Sequence, residues 1–418
     1  MDKIRIQGPC RLHGKVRVSG AKNAVLPELA AMLLVEGPVS LRNVPVVRDV
    51  QTMIKVLRHL GMRDVTLDGG TLRAEGGAPG EPEAPYDLVR TMRASILVLG
   101  PLLARLGRAK VSLPGGCAIG VRPIDYHIEA LRRMGAEIAI EHGYVVASCA
   151  RLKGAEIVFD DRTVTGTENL MMAAALADGR TVLKGCALEP EVVDLARFLN
   201  ACGARIEGAG SGRIVIEGVK HLHGAEHTVI PDRIETGTFL MAAAATRSGI
   251  TIERCDAGHL ESVLDKLQEC GVALRVDGDA IAVQPDGSLR AANVTTRPYP
   301  DFPTDLQAQF MALMARAEGV SIINETVFEN RLMHVGELRR MGARIVVDGQ
   351  TAIVAGPAPL SGAQVMASDL RASACLIVAG LAADGETVIN RAYHIDRGYE
   401  RVETKLQGLG ARIERISG

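Results

Sequence analysis

The run Leu170-Met171-Met172-Ala173-Ala174-Ala175-Leu176-Ala177 is apolar at every position, behind a polar start at Thr167-Glu168-Asn169 and ahead of Asp178-Gly179. A segment apolar nearly all round predicts a helix buried on every side, and glycine supplies the left-handed residue that ends it. Thr181-Val182-Leu183 then predicts a strand. From Val192 to Ala201 polar and apolar residues mix at helical spacing, which predicts an outer, amphipathic helix stopped by Cys202-Gly203. Arg205-Ile206-Glu207 and Arg213-Ile214-Val215-Ile216 alternate at period two around Gly-rich turn residues, the mark of a hairpin. The whole segment reads β-α-β-α-β-β.

That pattern recurs. Apolar helical runs end near Gly37, Gly107, Gly179, Gly249, Gly319 and Gly385, at intervals of 70, 72, 70, 70 and 66 residues. A second set follows at a nearly constant lag: Gly61, Gly135, Gly203, Gly271, Gly342 and Gly410. Six copies of one unit predict a repeat architecture. Three units per domain, with buried helices inside and sheets around them, predict a two-domain inside-out α/β barrel. Residues 22–229 form one predicted domain, and residues 1–21 with 230–418 the other. The first unit's leading strand is expected within residues 1–21, and the fourth's around Thr228-Val229-Ile230, just before Pro231-Asp232.

The composition narrows the class. With 418 residues, 47% hydrophobic, 3% aromatic and no Trp, the cores must be packed from Ala, Leu, Val and Ile. A net charge of −1 gives no global field that recruits nucleic acid or a membrane surface. The start Met1-Asp2-Lys3-Ile4-Arg5 lacks an apolar signal core, and no apolar run reaches membrane-span length. The eight cysteines, at 10, 117, 149, 186, 202, 255, 270 and 375, include no CxxC pair and suit reduced, mostly buried thiols. A cytoplasmic enzyme is the class that these features predict.

The copies differ at two slots. Fourteen residues before the first glycine, at the start of each inner helix, stand Asn23, Arg93, Thr165, Glu235, Asp305 and Arg371. Asn, Thr and Asp there suit capping. Arg93 and Arg371 oppose the helix dipole and make sense if an anion binds at the helix start, with Lys22 beside Asn23 adding a cation. Thirteen residues before the second glycine stand Arg48, Arg122 and Arg397. Arg offers a planar fork for phosphate or carboxylate, so the slots predict a site for acidic substrates in a cleft between the halves. The second unit is also longer. Its two glycines, Gly107 and Gly135, lie 28 residues apart, against 22 to 25 elsewhere, and the added residues fall in Leu113-Pro114-Gly115-Gly116-Cys117-Ala118-Ile119-Gly120-Val121-Arg122-Pro123. A Gly-rich loop around one Cys, with Arg122 near enough to lower the thiol's pKa, predicts a lid carrying a reactive thiolate.

Over essentially its whole length the chain resembles the UDP-N-acetylglucosamine 1-carboxyvinyltransferases, enolpyruvyl transferases of the EPSP synthase-like superfamily. The resemblance is carried by Gly20-Ala21-Lys22-Asn23-Ala24, Arg90-Thr91-Met92-Arg93-Ala94-Ser95, Pro114-Gly115-Gly116-Cys117 and Gly120 through Asp125. Further on it includes Asp232-Arg233-Ile234-Glu235-Thr236-Gly237-Thr238, Phe302-Pro303-Thr304-Asp305, Val327-Phe328-Glu329-Asn330-Arg331, Asp369-Leu370-Arg371-Ala372 and Asp396-Arg397-Gly398-Tyr399-Glu400. It implies transfer of enolpyruvate from phosphoenolpyruvate to the 3′-hydroxyl of UDP-N-acetylglucosamine by addition and elimination. That reaction releases phosphate, needs no metal or organic cofactor, and is the first committed step of peptidoglycan synthesis.

The resemblance also implies roles. Lys22, Asn23, Arg93, Arg122, Arg371 and Arg397 hold phosphoenolpyruvate. Asn23, Arg93, Arg122, Pro123, Ile124, Asp125, Tyr126, Arg162, Thr163, Val164, Thr165, Asp305 and Val327 hold the sugar nucleotide. Asp305 accepts the proton of the attacking hydroxyl, and Cys117 delivers one to the methylene carbon and is the residue alkylated by the epoxide fosfomycin. Asp369 is either near the reacting centre or the N-cap of the last inner helix. Two rivals remain. Transfer to shikimate 3-phosphate uses the same six-unit architecture but lacks the Cys-bearing loop. A pseudo-sixfold DNA clamp needs basic helix faces, whereas here the inner helices are rich in Ala, Leu and Met.

Overall fold

A computed structural model gives the fold and describes residues 2–77, 80–90, 92–113, 124–284 and 288–417. It is a mixed α/β fold in two compact units, residues 2–19 with 231–417 in one and 20–113 with 124–230 in the other. Each unit has its own hydrophobic core.

The inner helices are Lys22–Ala31, Leu99–Leu106 (continuing a 3-10 segment, Arg93–Val98), Val164–Ala175, Arg233–Ala245, Thr304–Met314 and Leu370–Ala382. Every residue from Arg233 to Ala245 is buried, and so is every residue from Arg371 to Ala382. Their small side chains let neighbouring inner helices pack closely: Gly237 faces Leu306 so tightly that a Cβ would come within 2.4 Å of it. The outer helices, among them Arg48–His59, Asp125–Arg133 and Pro190–Ala201, bury one side only, as their amphipathic patterns require.

The glycine signal splits in two. Gly61, Gly135, Gly203, Gly271, Gly342 and Gly410 all take left-handed φ, between 85° and 98°, just after an outer helix. Of the inner-helix set, Gly37, Gly107, Gly179, Gly319 and Gly385 do so, while in the fourth repeat Arg247 takes the left-handed step (φ 50°) and Gly249 opens the strand Gly249–Glu253. The turn has moved two residues upstream, where a non-Gly residue bears the strain.

Each sheet joins a leading strand in parallel to the strand after the inner helix, with the repeat's hairpin alongside. In the third repeat Glu156–Val158 pairs parallel with Arg180–Lys184, and Arg213–Glu217 lies antiparallel beside it. Two leading strands differ from the order read off the sequence. His13–Arg17 pairs parallel with Gly249–Glu253 and so leads the fourth repeat. Leu222–His223 and Glu226–Thr228 pair parallel with Val35–Arg42 and lead the first. Lys3–Gly8 completes the sixth repeat, antiparallel between Gly385–Asn390 and Ile413–Ile416. The reason is edge satisfaction: a three-repeat unit leaves its first sheet one strand short and has one strand left over at its end, and pairing them covers an open edge.

The chain passes between units at residues 19–20 and 230–231, and the two passing segments run side by side. Ala21 N donates to Ile230 O (2.8 Å), and Asp232 N donates to Ser19 O (2.9 Å). Gly20 is required here, because a Cβ would sit 1.7 Å from the Asn43 carbonyl oxygen. Gly20→Ala is therefore expected to destabilise the protein by about 1–3 kcal/mol through displaced backbone. Urea unfolding measures this, and an unchanged midpoint would contradict the close approach.

Candidate active site

The N-terminal ends of the inner helices gather most of the residues singled out by the repeat comparison. In the unit that ends the chain, Asp305 stands in the first turn of Thr304–Met314 and Arg371 in the first turn of Leu370–Ala382. Asp305 Oδ2 accepts from Arg371 Nη2 at 2.5 Å, and Oδ1 accepts from Arg331 Nη2 at 2.9 Å. Both guanidiniums are buried, whereas the Asp305 side chain keeps a quarter of its surface. Burial works to lower the Arg371 pKa, but the Asp305 carboxylate and the Tyr399 hydroxyl outweigh it, so the guanidinium is held above its ordinary value. Arg371 also lies over the Tyr399 ring, 5.9 Å from its centroid, and Arg331 over Phe328 at 5.2 Å. Charge-assisted pairs of this kind fix geometry as well as energy.

Asp369 caps the helix that carries Arg371. Its Oδ1 accepts from the backbone N–H groups of Arg371 (2.8 Å) and Ala372 (3.1 Å), and Oδ2 accepts from Ser368 Oγ (3.0 Å). A cation in the first turn opposes the helix dipole, and here the cap and Asp305 offset it.

Two residues the sequence left without a role complete this group. Arg331 is the second guanidinium on Asp305. Glu325, fully buried, accepts through Oε1 from Thr296 Oγ1, Val327 N and Phe328 N, and through Oε2 from Thr304 Oγ1 at 2.8 Å. It ties the turn bearing Val327 to the residue beside Asp305. A lone Glu at a strand end carries no periodic signal that would have marked it.

The other unit supplies a second group. Lys22 opens its inner helix with Nζ 3.6 Å from Asp49 Oδ2, both largely buried, and Asn23 follows, half-buried. Arg48 stands exposed at the start of the outer helix that carries Asp49. Arg93 opens the second repeat's inner segment and lies near His127, another residue that the pattern missed. His127 is buried, and its ring meets Asn169 Nδ2 at 2.8 Å through Nδ1 and Thr165 Oγ1 at 3.4 Å through Nε2. Burial, with the Arg93 charge adding to it, lowers the imidazole to about 4, so it is neutral near pH 7.

Tyr126, in the same outer helix as Asp125, donates to Asp161 Oδ2 at 2.9 Å, and that hydrogen bond, with burial second, raises the phenol's pKa. Ile124 is half-buried, just before this helix. Thr163 caps Val164–Ala175 by accepting from Gly166 N at 3.2 Å, while Arg162 is exposed and Val164 half-buried. Arg397, half-buried, ends the 3-10 segment Ala392–Arg397. Cys117, Arg122 and Pro123 lie outside the described residues.

Residues 6–406 match the family model described as EPSP synthase (3-phosphoshikimate 1-carboxyvinyltransferase). The chain therefore belongs to the EPSP synthase family of enolpyruvyl transferases. Among solved structures it is similar to the enolpyruvyl transferase NikO from Streptomyces tendae, at 29% identity and TM-score 0.89, over 100% of this chain and 99% of that one. Two structures of EPSP synthase from Acinetobacter baumannii, each at 18% identity and full coverage of both chains, share the fold with TM-scores of 0.76 and 0.77. The protein is an enzyme, a transferase of enolpyruvyl groups, and among the described residues no helix is long and apolar enough to cross a membrane.

His127 carries a pH prediction. The folded imidazole titrates near 4 and the free one near 6.5. Stability is thus full above about pH 6.5 and is lost as pH falls toward 4, by ~3 kcal/mol in all. His127→Gln removes that slope. Urea midpoints at about pH 7 and about pH 5 should differ less in the variant than in the parent. Equal acid losses would show that the ring is not held neutral by the fold.

Proposed function

We propose that this enzyme transfers the enolpyruvyl group of phosphoenolpyruvate to the 3′-hydroxyl of UDP-N-acetylglucosamine, as a cytoplasmic enzyme of peptidoglycan synthesis. The observation that carries the reading is Asp305, a carboxylate at a helix start, partly open to solvent and fixed between two buried guanidiniums. A base fixed among cations suits a reaction that takes a proton from a hydroxyl while binding an anion. The chain-long run of motifs and the Cys-bearing glycine loop support the sugar nucleotide as acceptor.

In this reading Lys22, Asn23, Arg93, Arg122, Arg371 and Arg397 hold the phosphate and carboxylate of phosphoenolpyruvate. Arg122 through Tyr126, Arg162 through Thr165 and Val327 hold the uridine and diphosphate. The 3′-oxygen attacks C2 of phosphoenolpyruvate as Asp305 takes its proton, and Cys117 protonates C3, giving a tetrahedral ketal. Loss of a C3 proton and cleavage of the C2–O bond to phosphate then give the enolpyruvyl ether, with Asp369 placed near that centre. The family model's own description favours a second acceptor, shikimate 3-phosphate.

One assay separates the two. Phosphate release is measured with phosphoenolpyruvate and each acceptor, and with either substrate omitted. Release that requires both phosphoenolpyruvate and UDP-N-acetylglucosamine is expected; release with shikimate 3-phosphate instead would replace the proposal with the second reading. Asp305→Asn should lower kcat by ~10²–10⁴-fold with the far-UV spectrum unchanged.

Fosfomycin should add one inhibitor mass, at Cys117. Burial raises the Cys186 and Cys255 thiols to about 11 and Cys202 and Cys270 to about 12, and holds Cys149 and Cys375 above the ordinary range, so these do not compete as thiolates. Peptide mapping that finds Cys117 unmodified and activity intact would remove the thiol from the mechanism.

A further inference from the structure

A second set of ionisable side chains lies inside the unit of residues 20–230 and takes no part in the chemistry above. Glu28 projects from the inner helix Lys22–Ala31 and Glu168 from Val164–Ala175, at 0% and 2% exposure. Asp194 lies on the outer helix Pro190–Ala201, behind Glu189 and Glu191 at its start, and all three are buried. His227 comes from Glu226–Thr228, the strand that closes the unit onto its first sheet.

The geometry is compact. His227 Nε2 lies 3.0 Å from Asp194 Oδ1 and 3.3 Å from Glu28 Oε1, and the three donor atoms fall within 4.8 Å of one another. At metal–ligand bonds of ~2.0–2.2 Å, neighbouring donors on a tetrahedral or octahedral ion sit roughly 3.0–3.5 Å apart. Asp194 is held in place by its other oxygen, which accepts from Ile230 N at 3.0 Å, and the His227 ring leans on Phe198 at 5.7 Å. Supported ligands of this kind are what a metal site requires beyond the donors themselves.

A second observation points the same way. Apart from the His227 ring, 3.3 Å from Oε1, neither carboxylate oxygen of Glu28 meets a hydrogen-bond donor, and Glu168 Oε1 meets none, although both side chains are buried. Leaving a buried acceptor without a donor is costly, and more so when it is charged. Two carboxylates converging on one imidazole, one of them short of hydrogen-bond donors, are a poor arrangement for a dry core and a good one for a cation.

We propose that Glu28, Asp194 and His227 bind a divalent first-row transition-metal cation, with Zn²⁺ as the favoured ion. Two carboxylates and one imidazole suit Zn²⁺ or Mn²⁺ better than an all-oxygen ion such as Ca²⁺. The ligands come from the first inner helix, the last outer helix and the closing strand, so the ion joins the two ends of the three-repeat unit. Its role is structural. Because it binds the folded chain, it stabilises that state by mass action.

The test uses the full chain, stripped with a chelator and dialysed against Zn²⁺ or Mn²⁺. Bound metal is counted by inductively coupled plasma mass spectrometry, and Tm is read with and without the ion. One ion per chain and a Tm raised by several degrees are expected for the parent protein, with at least a tenfold loss of affinity in Glu28→Gln and in His227→Gln. No bound metal in the parent overturns the proposal, whatever the variants do. Equal binding in parent and variants assigns the ion to another site, Cys117 included, and overturns it as well.

Discussion

The inner helices are buried along almost their whole length, and that constraint decides where polar chemistry can occur. A helix that meets packed side chains on every face satisfies its backbone internally except at its two ends. The N-terminal end leaves N–H groups that call for acceptors, and three inner helices meet that need with a side chain of their own sequence: Thr163, Asp232 and Asp369. The first of the two slots that differ between repeats lies within a turn of these ends. Asp305 and Arg371 are neighbours because two inner helices start side by side, and Lys22, Arg93 and Thr165 take the equivalent places in the other unit.

Properties encoded locally were legible in the sequence. The all-round apolar runs, the hairpins and the outer-helix glycines depend on residues within a few positions, and the residue fourteen before the first glycine does fall in the first turn of each inner helix. Pairings between distant segments were not legible. Nothing in His13–Arg17 says that its partner is Gly249–Glu253, because any short alternating strand offers the same backbone ladder. That choice is made by ring closure, which is a property of the three-repeat unit and not of the strand. The displaced turn at Arg247 escaped notice for a related reason: the glycine at the expected position remains, but the backbone strain sits elsewhere.

The candidate site divides along the same line. Asp305 and Arg371 were marked by their slot, but their ion pair was not, since the two are 66 positions apart. Arg331 stood in a resembling motif without a role of its own, and Glu325 was passed over altogether. Neither occupies a slot that differs between repeats, and each acts only through partners brought close by folding. His127 was hidden for the opposite reason: it falls within an ordinary amphipathic helix, where a buried polar ring looks like any other inward position. Its neutral state follows from burial beside Arg93, a fact of packing.

Asp369 shows what a capping carboxylate in this architecture still has to offer. One of its oxygens takes both backbone N–H groups at the helix start, and the other accepts only a serine hydroxyl. The cap fixes the carboxylate's position without exhausting its acceptor capacity, because an ionised carboxylate offers about four lone-pair sites. Asp305 is likewise held in place, by Arg331 on one oxygen and Arg371 on the other. A side chain pinned by one set of hydrogen bonds and still able to accept another is preorganised in the sense that electrostatic catalysis needs. Capping residues at the inner-helix starts thus fix polar side chains in place, and three of these helices carry one: Thr163, Asp232 and Asp369.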